Sequence, residues 1–286
     1  MAKHRVEMAK SKVLIEDGRV QVLSDPKIRR CPLRAHLYGC ESEDRGTVKR
    51  VLEGHVKELG MYTSKRVLEL DDDPVTFGAS EMINDAISEG MVDAAVTVCE
   101  GVGTVIITRP EVLQAVGAHM TGIIETEPIP AIKERLTARG STTLDDRCGI
   151  DQVKGFELAV QQGHRDVVVT IVGTRPDDAK GLREAGERLG RQPIIFAVHT
   201  SGISKRAARI LAQHCDIVWG CASKAVREVI GPLAEIQIGT GIPVFALTDI
   251  GKRIVLNRAL HIGEPLLVQR AKLPSLAQDK QPEPLL

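Results

Sequence analysis

Short apolar runs alternate with amphipathic runs along most of the chain. The apolar runs are rich in β-branched residues and include VDAAVTV, DVVVTIVG, PIIFAVH, DIVWG and IPVFALTD. Between them lie longer runs with apolar positions at the spacing of a helix face. Strands that are apolar throughout are typical of a parallel sheet with helices on both faces. The pattern therefore predicts an α/β fold, a three-layer domain with a mostly parallel sheet over residues 66–265.

The first 65 residues have a different pattern. KVLIEDGRVQVLS contains two short β-type runs joined at Asp17-Gly18, a dipeptide typical of a hairpin turn. Apolar residues then recur at helical spacing until Gly60, a residue type that often ends helices. We predict that residues 1–65 form a β-hairpin and helix segment packed on the main domain. The polar, proline-bearing segment 266–286 is predicted to be a partly disordered tail.

Composition and charge exclude several classes of protein. Hydrophobic residues make up 43% of the 286 positions and charged residues 27%, which is typical of a soluble protein. The 38 basic residues balance 38 acidic ones, so a nucleic-acid partner is not expected. No apolar stretch approaches the roughly 20 residues that span a bilayer, and the N-terminus lacks the apolar core of a signal peptide. We therefore expect a cytoplasmic protein without a membrane partner, and the sequence is compatible with an oligomer.

Polar and reactive side chains follow five of the predicted strands. In an open parallel sheet, ligands bind beyond the carboxyl ends of the strands. We therefore expect these side chains to gather at one edge of the sheet, where they are candidates for ligand or cofactor binding. In chain order they are Cys99, Glu100, Gly101, Gly103 and Thr104, then Thr174 and Arg175, then His199, Thr200, Ser201 and Gly202, then Cys221, Ser223 and Lys224, and finally Thr248 and Asp249.

Cysteine and histidine supply the candidate chemistry at this edge. In a cytoplasmic protein, the six cysteines are expected to be reduced, and to be packed, reactive or bound to metal. Cys99, His199 and Cys221 are predicted to share a crevice, and their side chains are of the types that bind zinc or an iron–sulfur cluster. Cys221 is also predicted near a helix N-terminus with Lys224 one turn on, which favours a thiolate. The candidate catalytic residues are Cys99, Glu100, His199, Cys221 and Lys224.

Each of these candidates has a structural alternative. A single cysteine is more often buried packing than a ligand. Serine is a preferred helix cap, and Ser201, Ser204 and Ser223 precede predicted helices. The Gly-Val-Gly-Thr segment at 101–104 lacks the third glycine of a dinucleotide-binding loop and is followed by an extended run. Ordinary nicotinamide binding is therefore not expected.

Basic residues near the same edge predict a small anionic ligand. Arg175, Lys224 and Lys252 follow three different strands, and the helix N-termini expected there also favour negative charge. The hydroxyls of Thr200 and Ser201 would add neutral donors. The alternative is that the basic side chains point outward and pair with carboxylates of neighbouring helices.

Three stretches resemble a known family. They are FGASEMINDAISEGMVDAAVTVCEGVGTVI, GIIETEPIPAIKERL and GCASKAVREVI. Together they resemble methanogenesis marker protein 8, an uncharacterised archaeal family, and the likeness extends from about Cys31 to about Leu260. The resemblance implies a cytoplasmic protein in an organism that uses methyl-coenzyme M reductase or a related system. It supplies no catalytic residues.

The resemblance favours an accessory protein of the methyl-coenzyme M reductase system, acting in its assembly, activation or cofactor supply. The expected partners are methyl-coenzyme M reductase or its maturation factors. Two alternatives rest on the residues alone. One is an enzyme that acts on a small anionic metabolite through the Cys/His site, and the other is a non-catalytic ligand-binding module.

Overall fold

The computed structural model describes residues 2–119 and 122–286 of the chain. The strands are β1 (Lys3–Met8), β2 (Ser11–Glu16), β3 (Arg19–Val22), β4 (Ala94–Cys99), β5 (Gly103–Ile107), β6 (Gly122–Thr126), β7 (Thr142–Thr143), β8 (Val167–Val172), β9 (Ile194–Val198), β10 (Ile217–Trp219), β11 (Ile236–Ile238) and β12 (Val244–Ala246). The α-helices are α1 (Pro32–Tyr38), α2 (Arg45–Leu59), α3 (Ala79–Ser88), α4 (Pro110–Gly117), α5 (Pro130–Thr137), α6 (Gln152–Gln161), α7 (Asp177–Leu189), α8 (Lys205–His214) and α9 (Asp249–Leu260). Within these described ranges, none of the helices has the length and apolar character needed to cross a membrane.

An eight-stranded sheet forms the centre of the fold, in the order β11-β12-β10-β9-β8-β4-β5-β7. Its middle strands β10, β9, β8 and β4 are parallel to one another. The outer strands are antiparallel to their neighbours, β5 and β7 on one side and β12 and β11 on the other. The predicted α/β fold is confirmed, and the parallel part of the sheet is its middle.

Helices cover both faces of this sheet and produce three layers. On one face, helices α3, α4, α5 and α9 contribute buried apolar residues such as Met82, Leu113 and Ile254. On the other face, helices α6, α7 and α8 contribute residues such as Phe156 and Leu182. Because both faces are covered, β4, β8 and β9 are apolar at almost every position, as the pattern predicted.

The N-terminal segment forms a second, four-stranded antiparallel sheet in the order β3-β2-β1-β6. Strands β2 and β3 are the predicted hairpin, and Asp17 and Gly18 in its turn have φ values of 48° and 76°. Strands β1 and β6 were not predicted, and β6 comes from the main domain, between α4 and α5. Helix α2 packs on this sheet through Val48, Val51 and Leu52, which share an apolar core with it.

Two features of the large sheet differ from the prediction. The run SKAVREVIG is helical, as predicted, but it forms a π-helical turn at Val226–Ile230 followed by a short 3₁₀ turn at Gly231–Leu233 rather than a regular α-helix. Strand β12 runs antiparallel to β10, so the residues after β12 lie at the edge opposite the ends of β8, β9 and β10. An antiparallel strand covered on both faces is as apolar as a parallel one. The hydrophobic pattern therefore does not encode the direction of β12.

The last part of the C-terminal tail lies over the ends of β9 and β10. Main-chain hydrogen bonds join Glu283 to Arg30 in both directions, at 2.9 and 3.0 Å. The Leu286 N–H donates to the Ala222 carbonyl, and the Leu286 carbonyl accepts from the Lys224 N–H. The stretch between α9 and this part is mostly exposed and includes one short 3₁₀ turn at Gln278–Lys280. The tail thus connects the N-terminal segment to the main domain.

Candidate functional site

The Cys99–Thr104 segment, a candidate site from its sequence, is enclosed in the interior. It forms the turn between β4 and β5. Gly101 donates its main-chain N–H to the Thr126 hydroxyl at the end of β6, at 2.7 Å. The Gly101 carbonyl accepts from the main-chain N–H of Ile129 at 2.9 Å. The turn therefore joins the large sheet to the small one.

Glu100 forms a buried ion pair with Arg66. The Glu100 Oε1 atom lies 2.7 Å from the Arg66 Nε atom, and neither side chain has exposed surface. Glu100 also accepts from the main-chain N–H of Tyr62 at 3.2 Å. The Arg66 guanidinium donates to the carbonyls of Val67 and Ala115 at 2.9 and 2.6 Å. These contacts hold the segment after α2 against the turn, and they leave the carboxylate closed to solvent.

The thiols of Cys99 and Cys148 are protonated in this environment. Cys99 donates to the Glu100 carbonyl at 3.4 Å, and burial raises the pKa of Cys99 well above its usual value. Cys148 donates to the Gly101 carbonyl at 3.2 Å, and burial raises the pKa of Cys148 to about 11. The thiolate, not the thiol, is the nucleophile and metal ligand. The structure therefore favours the packing alternative for Cys99.

Close packing of the backbone explains the glycines of this turn. Gly103 has a φ of 74°, and a Cβ atom there would lie 2.4 Å from the carbonyl carbon of Cys148. Thr104 accepts from the main-chain N–H of Asp151 at 2.9 Å and donates to Gln152 Oε1 at 2.8 Å. The glycines thus admit a neighbouring stretch of the same chain rather than a ligand.

The ends of β9 and β10 bring a second group of candidates together. The Thr200 hydroxyl donates to the last carbonyl of β10. Ser201 Oγ accepts from the main-chain N–H of Ala222 at 3.2 Å. Ser223 Oγ accepts at 3.2 Å from the N–H of the first residue in the π-helical turn. These hydroxyls join the two strand ends and cap the following turn. Their predicted role in ligand binding stays a prediction.

His199 and Gly202 lie at the same edge. His199 has a φ of 51°, and its Nδ1 atom lies beside Gly122 of the small sheet. Burial lowers the pKa of His199, and the Glu7 carboxylate opposes this effect. Gly202 has a φ of 68° and faces the side chain of Leu286. His199 therefore faces the small sheet, and Gly202 faces the tail.

The basic side chains predicted for this edge lie within ion-pair distance of carboxylates. The pairs are Arg175 with Asp178 at 3.1 Å, Lys224 with Glu228 at 3.8 Å and Lys252 with Glu235 at 3.9 Å. These contacts correspond to the alternative in which basic side chains neutralise nearby acidic groups. The anionic ligand stays a prediction.

Thr248 and Asp249 lie at the other edge of the sheet, because they follow the antiparallel β12. Thr248 donates to Oδ1 of Asp216 at 2.7 Å, and Asp216 directly precedes β10. Thr248 also caps the N-terminus of α9. These residues therefore do not join the group at the ends of β8, β9 and β10. Thr174 does follow β8, and it is exposed there.

A cysteine from the N-terminal segment reaches the ends of β9 and β10. Cys31 precedes α1, Cys221 follows β10, and both are partly exposed, whereas the other cysteines are buried. Burial raises the pKa of Cys31, and the nearby charge of a Cys221 thiolate raises it further. The tail bridges the segments that carry the two cysteines, because Glu283 bonds to Arg30 and Leu286 bonds to Ala222 and Lys224 through their main chains. Nothing in the sequence spacing of the two cysteines predicts this connection, because 189 positions separate them.

A buried arginine lies next to Cys221. Arg227 is 3% exposed, and it donates to the carbonyls of Gly220, Cys221 and Gly241 and to the side chain of Gln281. Among the carboxylates that the structure describes, none forms an ion pair with Arg227. Burial lowers the pKa of Arg227 to about 10, and a negative charge on Cys221 opposes this shift. The sequence pattern does not identify Arg227, because arginine in an amphipathic run is ordinarily exposed.

The predicted metal ligands do not form one cluster. Cys99 lies inside the β4–β5 turn, His199 faces the small sheet, and Cys221 lies in the loop after β10, next to residues that bond to the tail. In the described part of the chain, no group of three or more His, Cys, Asp or Glu side chains has an arrangement that holds a metal ion. Binding of a metal or an iron–sulfur cluster therefore stays a prediction.

Two surface clefts contain none of the residues predicted from the strand ends. A cleft of about 540 Å³ is lined by Glu69, Asp71, Arg109, Glu111 and their neighbours. A cleft of about 420 Å³ lies at the end of α2 and is lined by residues between 56 and 67. The ends of β9 and β10, covered in part by the tail, are therefore a separate place on the molecule.

A row of aromatic rings lies beside α2. The Tyr38 hydroxyl lies 3.3 Å from His55 Nε2, and the ring centroids of His55 and His119 are 5.7 Å apart. Burial lowers the pKa of His55 to about 3, and nearby positive charges contribute in the same direction. No spacing in the sequence indicates this row, because its members come from separate segments.

Acid is expected to destabilise the protein through His55. An unfolded histidine has a pKa of about 6.5, whereas His55 in the folded protein takes up a proton only near pH 3. Below pH 6.5 the unfolded chain therefore binds a proton that the folded chain does not, so stability falls as the pH falls toward 3. Between pH 7 and pH 5 we expect this residue to lower the free energy of unfolding by about 2 kcal/mol.

The substitution His55→Gln tests this expectation, because it removes the group that takes up the proton. The loss of stability between pH 7 and pH 5, measured by urea denaturation, should shrink by about 2 kcal/mol. The exposed His36 provides a control, and His36→Gln should retain the loss seen in the wild type. Equal losses in His55→Gln and the wild type would contradict the role of His55.

The fold and the strand edge define an α/β protein with two sheets, two partly exposed cysteines and an enclosed turn between β4 and β5. Residues 4–260 match a family described as an uncharacterized protein conserved in archaea (DUF2099). The chain is also 35% identical over 288 residues to uncharacterized protein MJ0054 of Methanocaldococcus jannaschii, and the alignment covers 100% of both chains. The chain therefore belongs to this archaeal family.

Proposed function

We propose that this protein is a cytoplasmic accessory protein of methane metabolism. In this proposal it assists the assembly, activation or cofactor supply of the methyl-coenzyme M reductase system. The likeness of three stretches to methanogenesis marker protein 8 supports the link to methane metabolism. The match to an archaeal family over residues 4–260 is consistent with that likeness.

The enclosure of the β4–β5 turn is the observation that carries the accessory role. The turn contains the Cys-Glu-Gly-x-Gly-Thr motif, and every side chain in it is buried or bonded to the protein's own backbone. The second similar stretch forms β6 and α5, which pack against this turn. The motif therefore stabilises the fold, and we expect other molecules to bind at the surface of the protein. This arrangement favours recognition of a protein partner over turnover of a small molecule in a deep pocket.

Affinity purification under strict anoxia tests the proposal. The protein, carrying a tag, is produced in a methane-producing archaeon and recovered from the lysate, and the bound proteins are identified by mass spectrometry. We expect subunits of methyl-coenzyme M reductase, or its maturation factors, to be enriched over the tag alone.

A second measurement separates specific binding from carry-over of an abundant enzyme. An unrelated α/β protein with the same tag is purified in parallel, and each enriched component is then mixed with the purified protein for sedimentation velocity. Co-sedimentation supports the accessory role. Recovery of the protein without any component of that system, or equal recovery with the unrelated protein, refutes it.

A further inference from the structure

Of the six cysteines, Cys31 and Cys221 are the two that are not fully buried. Cys31 belongs to the N-terminal segment, and Cys221 follows a central strand of the large sheet. The turn and scaffold described above use neither thiol. A pair of accessible cysteines from distant parts of the chain therefore needs an explanation of its own.

The tail holds the two cysteine-bearing segments together. Glu283 pairs through its main chain with Arg30, next to Cys31, and Leu286 bonds to the main chain on either side of Ser223. Three residue steps of extended chain reach at most about 10 Å, so the tail spans only a short gap between these segments. Cys31 directly follows Arg30 and Cys221 directly precedes Ala222, so the tail brings the backbones of the two cysteines near each other.

The surroundings give the two thiols different properties. Cys221 lies beside the guanidinium of Arg227, which is bonded to neutral oxygen atoms and forms no ion pair with a described carboxylate. A positively charged side chain beside a cysteine is a common feature of reactive thiols. Burial raises the pKa of Cys31 and keeps this thiol protonated.

We propose that Cys31 and Cys221 form a thiol–disulfide exchange site, with Cys221 as the attacking sulfur and Cys31 as the resolving one. The substrate class is a small disulfide or a disulfide on a partner protein, which the site reduces. The reverse reaction oxidises a dithiol. This proposal is independent of the accessory role, because the reaction of the chain with a small disulfide can be measured without any partner protein.

The proposed exchange takes place in two steps, in which atoms and electrons balance. The Cys221 thiolate attacks one sulfur of a disulfide R–S–S–R, a Cys221–S–R bond forms, and R–S⁻ leaves with the electron pair and takes up a proton. Cys31 then loses its proton, its sulfur attacks Cys221 Sγ, and the second R–S⁻ leaves and is protonated. The protein loses two electrons and two protons, and R–S–S–R becomes two molecules of R–SH.

Anoxic titration of the full, reduced chain with glutathione disulfide tests the proposal. Peptide mapping without reduction should find one predominant cross-link, between the peptides that contain Cys31 and Cys221. The intact mass should fall by about 2 Da, as expected for one disulfide. Cys31→Ser should stop at a stable glutathione adduct on Cys221, and Cys221→Ser should slow incorporation by about tenfold or more.

The buried Cys40, which belongs to the same N-terminal segment as Cys31, provides the matched control. Cys40→Ala should keep the wild-type cross-link. The peptide map of the wild type needs no substitution, so it decides the matter even where a variant is unstable. A predominant cross-link between other cysteines overturns the proposal. So does a lasting adduct on wild-type Cys221 that Cys31 never displaces, and so does a wild-type chain that does not react.

Discussion

Replacing Glu100 by alanine is expected to lower the free energy of unfolding by about 3–5 kcal/mol. The substitution removes the carboxylate that lies 2.7 Å from Arg66 Nε, and it leaves a guanidinium without exposed surface or a charged partner. A buried charge that loses its partner keeps the full cost of its removal from water. Urea denaturation at neutral pH measures the loss.

An exposed ion pair provides the control for Glu100. Glu53 lies 3.7 Å from Lys49 on the surface of α2, with about half of each side chain exposed, so Glu53→Ala should cost less than about 1 kcal/mol. The double variant Arg66→Met/Glu100→Leu removes both charges and should be more stable than Glu100→Ala. A cost for Glu100→Ala as small as that for Glu53→Ala would show that the buried pair is not important for stability.

Replacing Gly103 by alanine is expected to destabilise the protein by about 3 kcal/mol or more. The residue has a φ of 74°, which strains any residue with a Cβ atom, and that atom would lie 2.4 Å from the carbonyl carbon of Cys148. The nearest atoms all belong to the backbone of Cys148 and Gly149, so no side-chain rotation relieves the clash. Denaturation by urea, with folding checked by circular dichroism, measures the effect.

The substitution Gly140→Ala separates the two causes of the destabilisation expected at Gly103, which are backbone strain and steric clash. The φ of 79° at Gly140 is similar, but a Cβ atom there would have no other atom within 4 Å. Gly140→Ala should therefore show the conformational strain alone, about 1–2 kcal/mol. If both variants lose the same stability, close packing at the turn contributes nothing, and our explanation of the second glycine in the motif is wrong.

The hydrophobic pattern was sufficient for the layers of the main domain but not for the pairing of its outer strands. Strands β8 and β9 are buried on both faces by helices, so their sequences are apolar without interruption. The sequence of strand β6 does not show this pattern, because two of its five positions are exposed. The strand pairs with the distant β1. Its place in the small sheet depends on a contact between segments more than a hundred residues apart, which local periodicity does not contain.

The sequence likewise predicted part of the arrangement of the candidate site and did not predict the rest. Side chains that follow parallel strands lie at the same edge of the sheet, and this rule predicts that His199, Ser201 and Cys221 are near one another. In the structure, hydrogen bonds join the loops after β9 and β10. Residue type alone did not distinguish an enclosed cysteine such as Cys99 from an accessible one. The folded tail connects the segment of Cys31 to this edge, and this contact has no signature in the sequence.

The origin of β6 determines which part of the molecule can be separated from the rest. A small sheet at the start of a chain is often an independent attachment, but this one is completed by a strand from the middle of the sequence. Thr126 at the end of that strand is bonded to the central turn of the other sheet. The two sheets should therefore unfold as one cooperative unit, with their amide protons exchanging in a single slow class. The span that matches the archaeal family, residues 4–260, begins in β1 and ends in α9, so it includes all the strands of both sheets.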